Sequence, residues 1–262
     1  MRRGGFRLAG FLAALFLGVT TLASSAYAHT IGNWEKSGRS WNNTHMTKIK
    51  AAMEADGHQV RPDGPITELA FKSLAVFVIA EPAAAPTAAE LALLKKFLAT
   101  GGMILLFGDT GIDLPAYNSL LAGVGSAITF TTTTIGTSSA LPPNKFTDAP
   151  NNIVGSTLSV SSGNGTAGGS LIDNNYVRYE QVGAGLMFVF GDRIDHNDLI
   201  SSVNSRLLLN IVSVALGPEL QIPTLSTAGL ALASMLMLFA GLAVVRRRRA
   251  GVAGQRTGVA GQ

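Results

Sequence analysis

Cysteine is absent from all 262 residues. Its absence excludes a disulfide framework, a thiol nucleophile and any cysteine metal site. Charge is sparse as well, at 14% of residues, and the net charge of +4 belongs to the chain ends. Eight of the 20 Lys+Arg are Arg2, Arg3, Arg7, Arg246, Arg247, Arg248, Arg249 and Arg256, and Glu219 is the one acid outside 29–217. The segment 29–217 keeps 12 basic against 15 acidic residues, a net of −3. It therefore lacks the basic footprint of a nucleic-acid binder. A Gly-x-Ser-x-Gly elbow is missing too, which removes the usual serine substitute for a thiol nucleophile. Tryptophan occurs only twice, as Trp34 and Trp41. Their rings suit either stacking on sugars or packing at the N-terminal edge of the domain.

Long apolar runs are present at both ends. Arg2, Arg3 and Arg7 precede an apolar stretch from Leu8 to Leu22, and Ala26-Tyr27-Ala28 fits a small-x-small cleavage site. Residues 1–28 thus read as a secretory signal peptide, and the mature chain is expected to begin at His29. From Ala228 to Val245 only Ser234 is strongly polar. These residues make about 27 Å of helix, close to the roughly 30 Å hydrocarbon core. With Thr227 as its first residue, a transmembrane helix is expected over 227–245. The arginines 246–249 behind it mark the cytoplasmic side, which leaves 29–217 outside.

Ile222-Pro223-Thr224-Leu225-Ser226, then Gly229, an apolar helix and Arg246 to Arg249 resemble the IPTL-CTERM sorting signal of Gram-negative bacteria, over about residues 221–249. The resemblance implies a recognition tag and temporary inner-membrane anchor, read by a membrane-embedded, transpeptidase-like sorting enzyme that transfers the protein to the cell surface. Where such signals usually have an acidic residue and a tryptophan before the glycine, this chain has Thr227 and Ala228. The repeats Gly251–Gln255 and Gly258–Gln262 read as a disordered tail over 250–262.

The segment 29–217 is long enough for one domain of about 190 residues that buries most of its surface without staples. Residues 43–57 carry Met46, Ile49, Ala52 and Met53 at helical spacing and stop at Gly57. His58-Gln59-Val60 reads as a short strand. Leu74–Ala80, Met103–Phe107 and Gly185–Phe190 are continuous apolar runs of strand length, as expected of strands buried on both faces. Thr87 and Glu90 form a capping box for a helix that turns Leu91, Leu94, Phe97 and Leu98 inward and ends at Gly101-Gly102. The stretch 129–175, rich in Thr, Ser and Gly, reads as a β-rich, loop-rich insertion at the sheet edge, with 129–138 an exposed ribbon. Order resumes at Tyr176–Tyr179, and Leu199–Leu216 supplies a last helix with Leu207, Leu208, Ile211 and Val212 on its apolar face. The βαβ pattern predicts an α/β fold, a parallel sheet with helices on both faces. His29–Asn42 is polar and contains Trp34 and Trp41, so a strand before the first helix is either degenerate there or lost.

The order of these elements over 43–216, with Gly-Asp after two of the strands, resembles the class I glutamine-amidotransferase-like, flavodoxin-like superfamily, and most closely its non-enzymatic, envelope-associated branches. The resemblance implies a flavodoxin-like sheet. It also places Asp109, in Phe107-Gly108-Asp109-Thr110-Gly111, where the amidotransferase cysteine would stand, and a carboxylate cannot replace a thiolate in glutamine hydrolysis. Ligands of open α/β sheets bind beyond the carboxyl ends of the strands. Glu81, Asp109 and Asp192 fall there, with Asp195, His196 and Asp198 close behind. Asp109, Asp192, Asp195 and His196 suit a divalent metal or acid–base chemistry; Gly-Asp after a strand equally suits a turn or helix cap. His45 and His58 show no ligand spacing.

The expected protein is therefore an exported, membrane-anchored or surface-sorted envelope protein with a non-catalytic binding or scaffold domain and no resident cofactor. The alternative is a metal- or carboxylate-dependent hydrolase of an extracytoplasmic, glycan-like substrate.

Pro223 lacks an amide donor and biases Ile222 to extended backbone, so the tag should be presented as an accessible peptide. Ala228 lacks the interfacial anchoring of tryptophan. Partial processing is expected in the native host, with Ala228→Trp raising and Pro223→Ala lowering the processed fraction. Mass spectrometry of the C-terminus reads the outcome; an intact 246–262 tail on every molecule, insensitive to both substitutions, would reduce 222–230 to the flank of an ordinary membrane anchor.

Overall fold

Strand residues in this chain sort cleanly by parity. The computed structural model describes residues 29–42, 46–173, 175–194 and 201–215. Strands β3 (Val76–Ala80), β4 (Met103–Phe107) and β9 (Gly185–Phe190) lie side by side and parallel. Val76, Val78, Ala80, Met103, Leu105, Phe107, Phe188 and Phe190 enter one core. Phe77, Ile79, Ile104, Leu106, Met187 and Val189 enter the other. Period-two side chains that are apolar on both faces require a layer of helix on each side, because neither face can be left to water.

Helices α1 (Thr47–Ala55) and α6 (Ser202–Ala215) cover the first face through Ile49, Met53, Leu207, Leu208, Ile211 and Val212. The short α2 (Glu68–Phe71) precedes β3, and Phe71 packs against the second core. That face is covered mainly by α3 (Ala88–Ala99) and α4 (Leu114–Val124) through Leu94, Phe97, Leu98, Leu120, Leu121 and Val124. The capping box expected at Thr87 is formed: its hydroxyl accepts from Glu90 N, and the Glu90 carboxylate accepts from Thr87 N. Helix α4 escaped the sequence reading, although its signals are present: Asp113 caps it, Pro115 sits in its first turn and Gly125 ends it in left-handed backbone.

One alternative that the sequence leaves open is decided, and one expectation is corrected. First, the polar segment His29–Asn42 does contain the missing strand, β1 (Thr30–Asn33), parallel to both β3 and β2 (Gln59–Val60). Ile31 and, just beyond the strand, Trp34 are fully buried. A strand this short needs only these apolar contacts once its backbone is bonded on both sides, as in Ala75 N to Thr30 O and Arg61 N to Ile31 O, both 2.9 Å. Second, the 129–175 insertion is more than an edge elaboration. Only β7 (Ser170–Asp173) joins the edge of the main sheet, antiparallel to β8 (Val177–Val182), which in turn pairs with β9. The ribbon β5 (Thr129–Ile135) and β6 (Gly163–Ala167) form their own antiparallel pair. They cross the carboxyl ends of β4 and β9, where Asn164 N donates to Gly191 O at 2.9 Å. A Cβ on Gly191 would stand 2.0 Å from Asn164 O, so this crossing requires glycine.

The seven-stranded sheet thus runs β2-β1-β3-β4-β9-β8-β7, parallel through β9 and antiparallel beyond it. Among the described residues no helix is long and apolar enough to cross a membrane. The expected signal peptide with Ala26 and Ala28, the tail from 216 onward with its sorting signal and span 227–245, and His45, Asp195, His196 and Asp198 lie outside the described residues.

Two buried asparagines of α6 fasten the insertion to the sheet. Asn204 bonds both Ser159 N and Ser159 O at 2.8 Å, and Asn210 accepts from Asn151 N while donating to Phe146 O and Asn151 O. Phe146 lies on the short α5 (Lys145–Asp148) and fills the first core. Asn210→Ala would strand these buried main-chain groups. It is expected to lower unfolding stability by about 2–4 kcal/mol in denaturant titration, whereas a loss under about 0.5 kcal/mol would mean that the loop does not depend on this clamp.

Candidate functional site

Three acidic residues follow the central strands, as the sequence pattern placed them, and each is already engaged. Glu81, directly after β3, adopts φ of 47°, a left-handed conformation uncommon outside glycine. It is held from several sides. Its N–H donates to Phe107 O, its carbonyl accepts from Gly38 N at 2.8 Å, and its carboxylate takes a two-pronged bond from Arg39 with both contacts at 2.9 Å. Such a fork is the strongest form of arginine–carboxylate contact.

Arg39 belongs to a loop, 34–42, that lies across the carboxyl ends of β1 and β3. Ser37 bridges to Pro82, and its hydroxyl accepts from Ala80 N. Asn33 donates to Arg39 O and to Asp63; Asp63 also receives the Ser40 hydroxyl and Trp41 N. A Cβ on Gly38 would come within 2.5 Å of Glu81 O, so glycine permits the close approach. Both tryptophans are buried, Trp34 in the second core and Trp41 in the first, which leaves neither ring free to stack on a sugar.

Asp109, after β4, accepts from Thr110 N at 2.6 Å, and its other oxygen lies 3.4 Å from Arg193 Nε. Asp192, after β9, is completely buried. One of its oxygens accepts from Ser161 N and the other from Arg193 N, each at 2.8 Å. Burial pushes its pKa up to about 6; the two backbone donors and Arg193 oppose the shift, and Asp109 adds to it. Asp109 and Asp192 thus share one electrostatic neighbourhood around Arg193. Their expected companions Asp195 and His196 lie outside the described residues, and among those described no three His, Asp or Glu side chains are grouped to hold a metal.

An open pocket of about 320 Å³ remains between the loops that follow β3 and β4, lined by Glu81–Pro86, Asp109–Asp113, Ala116, Tyr117 and Leu120. That is near the lower end of small-ligand sites. Burial raises the Tyr117 hydroxyl well above its ordinary pKa, and the charges of Glu81 and Asp109 raise it further. Its hydroxyl is therefore a neutral donor, not a base. Sequence reasoning missed this pocket because its floor, Ala116, Tyr117 and Leu120, comes from α4, a helix that reading did not contain.

The raised Asp192 pKa has a definite consequence for stability. The folded state prefers the protonated acid, so this group's contribution is complete below its ordinary value near 4 and is lost as pH rises through about 6. Two units correspond to about 3 kcal/mol. The stability of the wild type relative to Asp192→Asn should therefore fall by an amount of that order between pH 4 and 7 in denaturant unfolding; a pH-independent difference would place the Asp192 pKa at its ordinary value.

Comparison with known proteins bears on two parts of the chain. The mmIFT52 N-terminal domain is similar in fold, at a TM-score of 0.55 and 16% identity, over 70% of this chain and 95% of that one. A cytoplasmic protein of Salmonella typhimurium, STM3548, aligns at 0.47 and 10% identity over 70% and 97%. The β-galactosidase of Bacillus circulans sp. alkalophilus aligns at 0.49 and 10% identity over 76% of this chain and 32% of its own length. None of these is an amidotransferase by name, and the superfamily resemblance gains no support from them. No curated protein sequence matches. At the C-terminus, residues 221–249 match the IPTL-CTERM motif, which marks the chain as exported, membrane-anchored and surface-sorted.

Proposed function

We propose that this is a bacterial envelope protein held in the inner membrane by residues 227–245 and handed to the cell surface by a membrane-embedded sorting transpeptidase. Its α/β domain is a non-catalytic binding or scaffold module. The observation that carries the second half is the closure of the strand ends. The five parallel strands run in the order 2-1-3-4-5, that of a flavodoxin-like sheet, whose ligand crevice opens between the first and third strands. Here the loop 34–42 fills that crevice with its own backbone, and the β5–β6 ribbon covers the next ends along. The acids left at the rim are tied to Arg39, to Arg193 or to backbone donors. General acid–base work needs a group that can reach the reacting atom.

One observation favours the hydrolase reading through Asp109, Asp192, Asp195 and His196, namely the Asp192 pKa near 6, where an acid catalyst would want it. Against it, Asp192 has no exposed surface, and both its oxygens are taken by main-chain donors.

The proposal is tested on the full-length chain in its native host. Protease added to spheroplasts is expected to digest 29–217, and full protection of that segment would end the export reading. Purified protein is expected to leave envelope glycans uncleaved with and without added divalent metal; turnover abolished in Asp109→Asn would replace the scaffold with the hydrolase.

A further inference from the structure

At the far end of β1 from the pocket, two histidine rings are buried together. His29 and His58 stack with centroids 5.6 Å apart at 20° between planes, and both residues are under a tenth exposed. The main-chain nitrogen of His29 lies 3.2 Å from His58 Nδ1. That bond fixes the tautomer of His58: Nδ1 offers its lone pair to His29 N, and the proton sits on Nε2, 3.4 Å from an Asp56 carboxylate oxygen. Nε2 of either ring is buried without a hydrogen-bond partner, an unusual state for two polar rings in a folded protein. Neighbouring backbone holds the pair in place, with Gln59 N donating to His29 O and His58 N to Met53 O.

His29 is also the residue expected to become the first of the mature chain. In the precursor its nitrogen is an amide, a donor with no basic lone pair. Cleavage after Ala28 turns the same atom into an amine. We propose that signal cleavage creates a binding site for a borderline divalent cation, Cu(II) foremost, from the α-amine of His29, its own Nδ1 and His58 Nδ1. This inference rests on the export reading above.

The separation suits the chemistry. Two nitrogens bound to one ion at about 2.0–2.1 Å stand about 2.9 Å apart at a right angle and about 3.3 Å apart at the tetrahedral angle. The observed 3.2 Å lies between these values. The amine and Nδ1 of a single histidine close a six-membered chelate ring, so the third donor needs no further residue. The Asp56 carboxylate, 3.4 Å from His58 Nε2 though not hydrogen-bonded to it, stands on the side from which a carboxylate typically orients a ligating imidazole. Three nitrogen donors of this kind rank copper above zinc and nickel, and exclude magnesium and calcium.

The test uses the full-length chain exported by its host, extracted in detergent, stripped with chelator and titrated with Cu(II), then with Zn(II), against a competing chromophoric chelator. N-terminal sequencing of the same preparation comes first. With His29 as the first residue, one equivalent of Cu(II) is expected to bind, with nitrogen splitting in its electron paramagnetic resonance spectrum. Affinity should fall at least tenfold in His58→Gln. It should fall equally in a chain carrying one alanine inserted before His29, which leaves the fold and both rings untouched. A first residue other than His29 overturns both the cleavage reading and this site. His29 first, with copper affinity unchanged in both variants, overturns the site alone and leaves the export reading standing.

Discussion

Three strands buried on both faces dictate the rest of this molecule. β3, β4 and β9 expose almost nothing of their side chains, and each buried aliphatic or aromatic side chain contributes about 1.5–3 kcal/mol only if water is kept off it. Two layers of helix follow from that requirement, as does the parallel arrangement, because each crossover carries a covering helix. The antiparallel strands β8 and β7 are appended where the second layer gives out. At that margin Tyr179 and Phe146 continue the first core, and Lys145 rests over both rings.

A sheet closed above and below can open to ligands only at its ends, and here the chain closes most of the carboxyl end with itself. The closure is made of backbone, glycine and ion pairs. Gly38 and Gly191 permit main-chain atoms to meet at hydrogen-bonding distance, and Arg39 and Arg193 neutralise the acids left behind. The strained conformation of Glu81 belongs to the same arrangement, since four contacts over-determine it. In many proteins a left-handed residue at a strand end is aimed at a substrate. This one is aimed at its own arginine.

Much of the layering was legible in the sequence, because continuous apolar runs such as Met103–Phe107 and signals such as Thr87 with Glu90 depend on local chemistry alone. The first strand was not, since the burial of Thr30–Asn33 is set by neighbours 29 and 45 residues along, in β2 and β3, rather than by its own composition. Helix α4 went unread although Asp113, Pro115 and Gly125 mark its ends. The acids at the strand ends were placed correctly, yet their pairing was invisible: Arg39 approaches Glu81 from a loop that no periodicity predicts. His58 was dismissed for want of ligand spacing. Its partner is a histidine 29 residues earlier, joined to it only by the parallel register of β1 with β2.

The pairing at the rim also limits what the remaining pocket can recognise. Both oxygens of Glu81 are bonded to Arg39, and one oxygen of Asp109 is occupied by Thr110. A polar ligand at Glu81 would have to displace a bond to Arg39 for each new one it made, an exchange that yields little net free energy. The unengaged surface is the apolar wall of Pro82–Pro86, Ile112 and Leu120 together with the Tyr117 hydroxyl. That lining mixes apolar side chains with main-chain groups and the side chains of Thr110 and Asp113, so it is neither a purely apolar groove nor a cluster of free acids. On the reading proposed above, carboxylates engaged in this way hold the loops over the strand ends instead of exchanging protons with a substrate.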